Sequence, residues 1–117
     1  LDSSRREERA TMTKHIVPRY KLMLFYDLKP QHADDYYEFI MNEMIPTAQK
    51  MELYMFRVFH TVYGDCPLRQ AEFVAEDLDT LRQVMDSDTW HGLEDKLLQY
   101  ATNYNRKIVK FRPGFQL

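Results

Sequence analysis

Cysteine is nearly absent: Cys66 is the single one in 117 residues, so an intrachain disulfide is impossible and a cytosolic setting is the default. Cys66 has no neighbouring base and reads as an ordinary thiol in a turn. Glycine is scarce too. Gly64, Gly92 and Gly114 are the full set, too few and too scattered for a glycine-rich phosphate loop, and no Rossmann fingerprint or nucleophile elbow is present. No apolar run approaches the roughly 18 residues that span a bilayer, and no signal-peptide pattern is read, so no membrane partner is expected. Charge of one sign is lacking: 16 Lys and Arg face 18 Asp and Glu, a formal net charge of -2. A nucleic-acid binder would carry a basic stripe, so that class is disfavoured. His15, His32, His60 and His91 are dispersed, with no His-x-x-x-His and no Cys-x-x-Cys, so neither a metal nor a cofactor is expected.

What the chain has in quantity is aromatic and sulfur-bearing bulk: eight Tyr, seven Phe, one Trp and seven Met within a 44% hydrophobic composition. Such residues bring large buried area and fill irregular gaps. The length is that of one domain. Residues 1–17 read as a charged arm without an apolar stripe, with Met12 a candidate native initiator, and residues 18–117 as the folded domain.

From Arg19 the elements follow from period and punctuation. Arg19–Leu28 alternates as a strand, and Pro30 stops it and suits a first helical turn. Ala33 to Ala48 carries apolar residues at 3–4 spacing, with Asp34 and Asp35 at the positive N-terminus and Pro46 expected to kink or reset the helix. Leu53–Tyr63 and Arg69–Glu76 read as a hairpin about the turn Gly64–Pro67. Asp77 is a cap for a helix to about Met85, and Ser87-Asp88 opens a second helix to about Tyr104, which Gly92 weakens. Lys107–Arg112 is the last strand, ended by Pro113-Gly114. The order β-α-β-β-α-β predicts an α+β, ferredoxin-like split βαβ fold: a four-stranded antiparallel sheet with helices on one face.

Strand parity then separates two faces. Tyr20, Leu22, Leu24, Tyr26, Tyr54, Phe56, Val58, Val62, Ala71, Phe73, Ala75, Val109 and Phe111, with His60 among them, are expected against the helices. The other face mixes Met23, Phe25, Met55, Phe59, Tyr63, Val74 and Ile108 with Lys21, Asp27, Arg57, Glu72, Glu76, Lys110 and Arg112. A water-facing sheet surface should be mostly polar. A second apolar face with one helical layer leaves a patch that monomers avoid, and a copy of the same chain is the simplest cover. The expected homodimer interface holds Phe25, Met55, Arg57 and Phe59. The mixed charges suit cross-strand or intersubunit pairs; Arg57 either forms an intersubunit pair with Glu72 or Glu76 or binds a carboxylate between the paired sheets.

The run Tyr37-x-Phe39-x-x-x-Glu43-x-x-Pro46, the strand Tyr54-Met55-Phe56-Arg57-Val58-Phe59, the segment Ala71 to Leu81 and the opening Ser87-Asp88-Thr89-Trp90 resemble the dimeric α/β-barrel superfamily. That superfamily includes EthD-like proteins, NIPSNAP-like proteins, stress-responsive barrel proteins and antibiotic-biosynthesis monooxygenases. The resemblance covers about Arg19 to Phe111. It implies two sheets packed face to face in a barrel shared by two chains, with a ligand cleft between each sheet and its own helices. It does not imply one chemistry, since monooxygenases, isomerases, haem enzymes and members without known activity share the fold.

For such a cleft the candidate catalytic groups are His60 and Tyr26, and the candidate substrate contacts are Tyr36, Trp90 and His91. His60 is either a general base or ligand-orienting group, or a core histidine bonded to a tyrosine or to backbone. Trp90 is either a stacking platform or a core anchor, and His91 either lines the cleft mouth or faces solvent. Asp27 and His32 form a His-Asp pair or serve separately near a turn. Two functions remain open. One is a small-molecule enzyme or binder, such as a cofactor-independent monooxygenase or isomerase on a hydrophobic aromatic or polyketide-like compound. The other is a non-catalytic structural or interaction protein whose aromatic and Met stripes are only core and interface.

Overall fold

The computed structural model describes residues 16–63 and 66–112, and the backbone alone of residues 60–63 and 66–67. All but the last two residues of the expected arm, the Gly64-Asp65 turn and the Pro113-Gly114 stop lie outside the described residues. The chain runs β1 (Tyr20–Leu28), a 3-10 turn (Pro30–His32), α1 (Ala33–Phe39), a π-helical turn (Ile40–Met44), α2 (Ile45–Lys50), β2 (Tyr54–Tyr63), β3 (Cys66–Ala75), α3 (Leu78–Asp86), α4 (Asp88–Tyr100) and β4 (Ala101–Lys110). The strands form one antiparallel sheet in the order β2-β3-β1-β4. This is the expected ferredoxin-like α+β architecture.

Pro46 resets the first helix in a definite way. Lacking an N–H, it gives the carbonyl four residues back no helical donor. The chain widens into a π turn immediately before Ile45 and Pro46, then resumes α-helix. The helix ends in a Schellman-type cap: the Leu53 N–H donates to the Ala48 carbonyl at 2.9 Å and the Glu52 N–H to the Gln49 carbonyl at 3.0 Å. Glu52 holds the left-handed position, φ 66°, that this cap requires. The two later helices are capped as their sequence indicates. The Asp77 side chain accepts from the Thr80 N–H at 2.7 Å, and the Ser87 hydroxyl accepts from the Trp90 N–H at 3.1 Å.

The core fills the space between sheet and helices. Leu22, Leu24, Tyr26, Phe73, Leu53, Met44, Leu81, Trp90 and Leu97 are fully enclosed there. Trp90 packs edge to face on Phe73, ring centroids 6.2 Å apart. Along β1 and β3 the faces are those expected from alternation, since Leu22 pairs with Phe73 and Leu24 with Ala71 in unbroken register.

Three expectations are corrected. First, the last strand begins at Ala101, six residues before Lys107, and the preceding helix ends at Tyr100. The spacing of Leu97, Tyr100, Ala101 and Tyr104 fits a helix, but Asn103 adopts φ 55°, a left-handed conformation that helix propagation forbids. Its amide donates to Asp27 Oδ2 at 2.7 Å, beside an irregularity in the β1–β4 register between Phe25 and Asp27. Beyond it, Ile108 pairs with Leu22 and faces the helices, while Val109 pairs with Lys21 and faces away, the reverse of expectation. Second, β3 starts at Cys66 rather than Arg69, so Cys66 and Pro67 belong to a strand and not to the turn.

Third, β2 carries a bulge. Its register against β3 shifts between Met55 and Arg57, so Phe56 and Arg57 together oppose Glu72. Met55, paired with Phe73, packs against the helix-side core, whereas Tyr54, paired with Val74, takes the opposite face. The Phe56 ring meets Phe111 edge to face at 5.2 Å. The chain places Phe56 on one edge strand and Phe111 just past the end of the other, three strand spacings apart, about 14 Å in a flat sheet. That contact requires the sheet to curl toward the side away from its helices.

Candidate functional site

On the helix-facing side the strongest polar assembly joins β1, β3 and α1. Tyr26 lies on the inward face of β1 and Tyr36 on the first inward turn of α1. Their hydroxyl oxygens are 2.5 Å apart and their rings are edge to face at 5.9 Å. Neither phenol is accessible to solvent beyond 2%. Burial raises the pKa of Tyr26 well above its ordinary value, and the adjoining Tyr36 phenol raises it further. Burial raises Tyr36 as well, partly offset by its bond to Tyr26 and by the Arg69 charge. Both hydroxyls are therefore neutral donors or acceptors at neutral pH.

Arg69 is the member of this assembly that sequence reading misses. Its strand parity is that of Ala71, Phe73 and Ala75, and it pairs with Tyr26, so its side chain points to the helices, where it is 8% exposed. Nη2 donates to the Tyr37 hydroxyl at 2.6 Å, and the guanidinium stands 5.7 Å from the Tyr36 ring centroid and 5.2 Å from that of Tyr37. Nε is buried with no hydrogen-bond partner, and among the described residues no carboxylate lies within ion-pair distance of Arg69. The signal was available: an arginine two, four and six residues before the inward Ala71, Phe73 and Ala75 of the same strand.

The other expected ligand groups are not all brought together. His60 pairs with Arg69 in the β2–β3 ladder, which sets its Cα at the Tyr26 end of the sheet, and its side chain lies outside those described. Trp90 is fully buried on Phe73, whose register partner Leu22 lies four residues, about 13 Å, along β1 from Tyr26. The Trp90 indole N–H has no hydrogen-bond partner among the described residues. His91 is exposed on α4, its N–H donating to the Ser87 carbonyl at 3.1 Å. Asp27 and His32 are not a pair: Asp27 accepts from Asn103, and the His32 ring lies against Tyr100 at 6.1 Å. A shallow groove of about 250 Å³ flanks α1, lined by Asp35, Glu38, Phe39, Asn42, Glu43 and Tyr100, none of them an expected ligand contact. No group of His, Cys, Asp and Glu with metal-binding spacing occurs among the described residues, and no helix is long and apolar enough to cross a membrane.

The side of the sheet away from the helices combines a buried charge cluster with exposed aromatics. Glu72 accepts from Arg57 Nε at 2.8 Å and from Gln70 at 2.6 Å, with Lys21 Nζ 3.4 Å away. The Arg57–Glu72 pair is thus cross-strand within one chain, which corrects the expectation of an intersubunit pair. Burial by itself raises the Glu72 carboxyl, but the hydrogen bonds from Arg57 and Gln70 and the Lys21 charge outweigh it and hold the pKa below the usual carboxylate value. The Arg57 guanidinium also lies over the rings of Phe56, 4.9 Å, and Phe59, 4.6 Å. Those rings remain 44% and 40% exposed. Phe25 is half-buried on this face, and Met55, expected beside it, is on the other.

At the level of sequence, no protein-family model and no curated protein matches the chain. Solved structures do. A NIPSNAP-family protein from Agrobacterium tumefaciens is 12% identical over 86% of this chain and 92% of its own, with a TM-score of 0.61. A conserved protein of unknown function from Bacteroides thetaiotaomicron, described as a possible oxidoreductase, is 9% identical over 80% and 98%, with a TM-score of 0.63. An EthD-family protein from Bacillus halodurans is 19% identical over 80% and 99%, with a TM-score of 0.60. The chain therefore has the ferredoxin-like α+β fold of NIPSNAP- and EthD-family proteins.

Proposed function

We propose that this chain works as a homodimer, its sheets paired through the curled side away from the helices, and that each subunit binds a hydrophobic aromatic small molecule between its sheet and α1. The carrying observation is the exposure of Phe56 and Phe59 on a sheet face that also buries Glu72 and Lys21. Apolar side chains of this size are worth roughly 1.5–3 kcal/mol each when removed from water. A second curled sheet of the same shape would remove them, with the Arg57 guanidinium already stacked between the two rings.

On the helix side, β2 is the sheet edge, and Val58 there stays 43% exposed although it pairs with the inward Ala71. Tyr37 is exposed beside Arg69, and Met41 one turn further along the same helix is exposed as well. These residues offer exposed apolar surface beside Arg69 against which a ligand would lie. Binding is the better-supported role than base catalysis by Tyr26, whose hydroxyl is held neutral and engaged with Tyr36. A catalytic form, a cofactor-independent monooxygenase or isomerase, would need His60 at the reacting atoms. The second reading is a non-catalytic interaction protein, favoured by the full enclosure of Tyr26, Tyr36 and Trp90 in the core.

Light scattering on the purified protein tests the assembly. A dimer is expected, and Phe59→Glu should give monomers or aggregates; a monomeric wild type overturns the pairing. Melting shifts across aromatic acids, quinones and lactones test the cleft, and no shift from any of them favours the second reading.

A further inference from the structure

We infer that the ligand site beside α1 is built for an aromatic carboxylate, with Arg69 as its anion receptor and Tyr37 as the group that holds the receptor's place when empty. The inference rests on the ligand-binding reading above and names the class of ligand. Its basis is a charge that the fold encloses and that no described residue neutralises. Arg69 is more than nine-tenths buried, its Nε lacks a hydrogen-bond partner among the described residues, and its Nη2 is satisfied by a phenol. A guanidinium cannot shed its proton at any ordinary pH, so the burial is not relieved by titration. An enclosed cation without a counter-ion is costly, and the chain makes no such concession on its other face, where Glu72 gathers Arg57, Lys21 and Gln70.

The geometry fits a planar anion. Nε and Nη2 are the adjacent edge of the guanidinium that a carboxylate grips with two parallel hydrogen bonds. One of these donors is free and the other is held by a residue at the surface: Tyr37 is 48% exposed, so its side chain has room to turn outward and surrender Nη2. The rings of Tyr36 and Tyr37 beside the cation offer stacking surfaces for the aromatic part of the ligand.

Titration calorimetry on the full chain with 2-naphthoate and its uncharged isostere 2-naphthamide tests the inference. Naphthoate should bind the wild type roughly tenfold to a hundredfold more tightly than naphthamide, the worth of a charged hydrogen-bonded pair. Arg69→Met should abolish that preference while melting no lower than the wild type, because it removes an uncompensated buried charge. Tyr37→Phe should bind naphthoate at least as tightly as the wild type, since the occupant of Nη2 is gone; this variant and the acid–amide comparison carry the test if Arg69→Met does not fold. Equal binding of acid and amide overturns the anionic class but leaves a cleft. Binding of neither compound overturns both this inference and the ligand-binding reading. Naphthoate affinity unchanged in Arg69→Met, or weakened in Tyr37→Phe, overturns the role of Arg69.

Discussion

Glu72 on β3 accepts a hydrogen bond from Arg57 on β2 at 2.8 Å and is 1% exposed, although it lies on the side of the sheet away from the helices. The curl that brings Phe56 to Phe111 accounts for this, as both sheet edges lean over the middle strands. Glu72→Gln should cost about 3 kcal/mol in urea unfolding, because it leaves the buried Lys21 amine without its counter-charge. The carboxyl's folded pKa is depressed, so its contribution is complete above its ordinary value of 4.5 and is lost as pH falls through the lower folded-state value. Stability measured against pH should fall on the acid side in the wild type and fall less steeply in Glu72→Gln.

The Tyr26–Tyr36 hydroxyl pair makes the opposite prediction. Both phenols have raised pKa values, so the stability they bring is complete below the ordinary value of 10.0 and is lost as pH climbs beyond it. Tyr26→Phe or Tyr36→Phe alone leaves one buried hydroxyl without its partner and should cost about 1–3 kcal/mol. The double variant should cost less than the sum, and a double-mutant cycle by chemical denaturation reads the difference directly. The double variant should also resist alkaline unfolding better than the wild type, relative to its own stability at neutral pH.

Ser87 closes α3 and opens α4 with one hydroxyl, donating to the Val84 carbonyl at 2.7 Å and accepting from the Trp90 N–H. Ser87→Ala should lower stability by about 1 kcal/mol. Trp90 fluorescence should report the same unfolding midpoint as circular dichroism, since that cap fixes the turn that carries the indole.

Two glycine exchanges should both stabilise, for opposite reasons. Gly92 sits inside α4 with nothing within 4 Å of an added Cβ, so Gly92→Ala should gain roughly 0.5–1 kcal/mol. Glu52 holds φ 66° at the end of α2, and Glu52→Gly should relieve about 1 kcal/mol of left-handed strain. Thermal melts of the two single variants and their combination should show additive shifts.

The order of elements was legible because each boundary is a local event: Pro30 after β1, Asp77 before α3, Ser87 before α4. The faces of β1 and β3 were legible because their pairing runs without a break, so parity read from one end holds at the other. Parity failed where the ladder slips. The bulge at Phe56 turned Met55 inward and Tyr54 outward, and the last strand, expected only from Lys107 and so without a register to β1, has Ile108 and Val109 on the faces opposite to those expected. A slip of one residue exchanges every side chain beyond it, and nothing local announces it. The candidate site was legible in part. Tyr26 and Tyr36 were brought together, Arg69 was overlooked beside them, and Trp90 and His91 were placed elsewhere.

By itself the sequence determined the order of helices and strands and that the sheet would carry apolar residues on both sides, since periodicity and composition are properties of the chain alone. The tertiary structure decided which aromatic rings share a face, that the sheet curls enough for Phe56 to touch Phe111, and that Arg69 is enclosed without a counter-ion among the described residues. Those outcomes depend on register and on neighbours distant in sequence, where a single bulged residue redirects a whole strand.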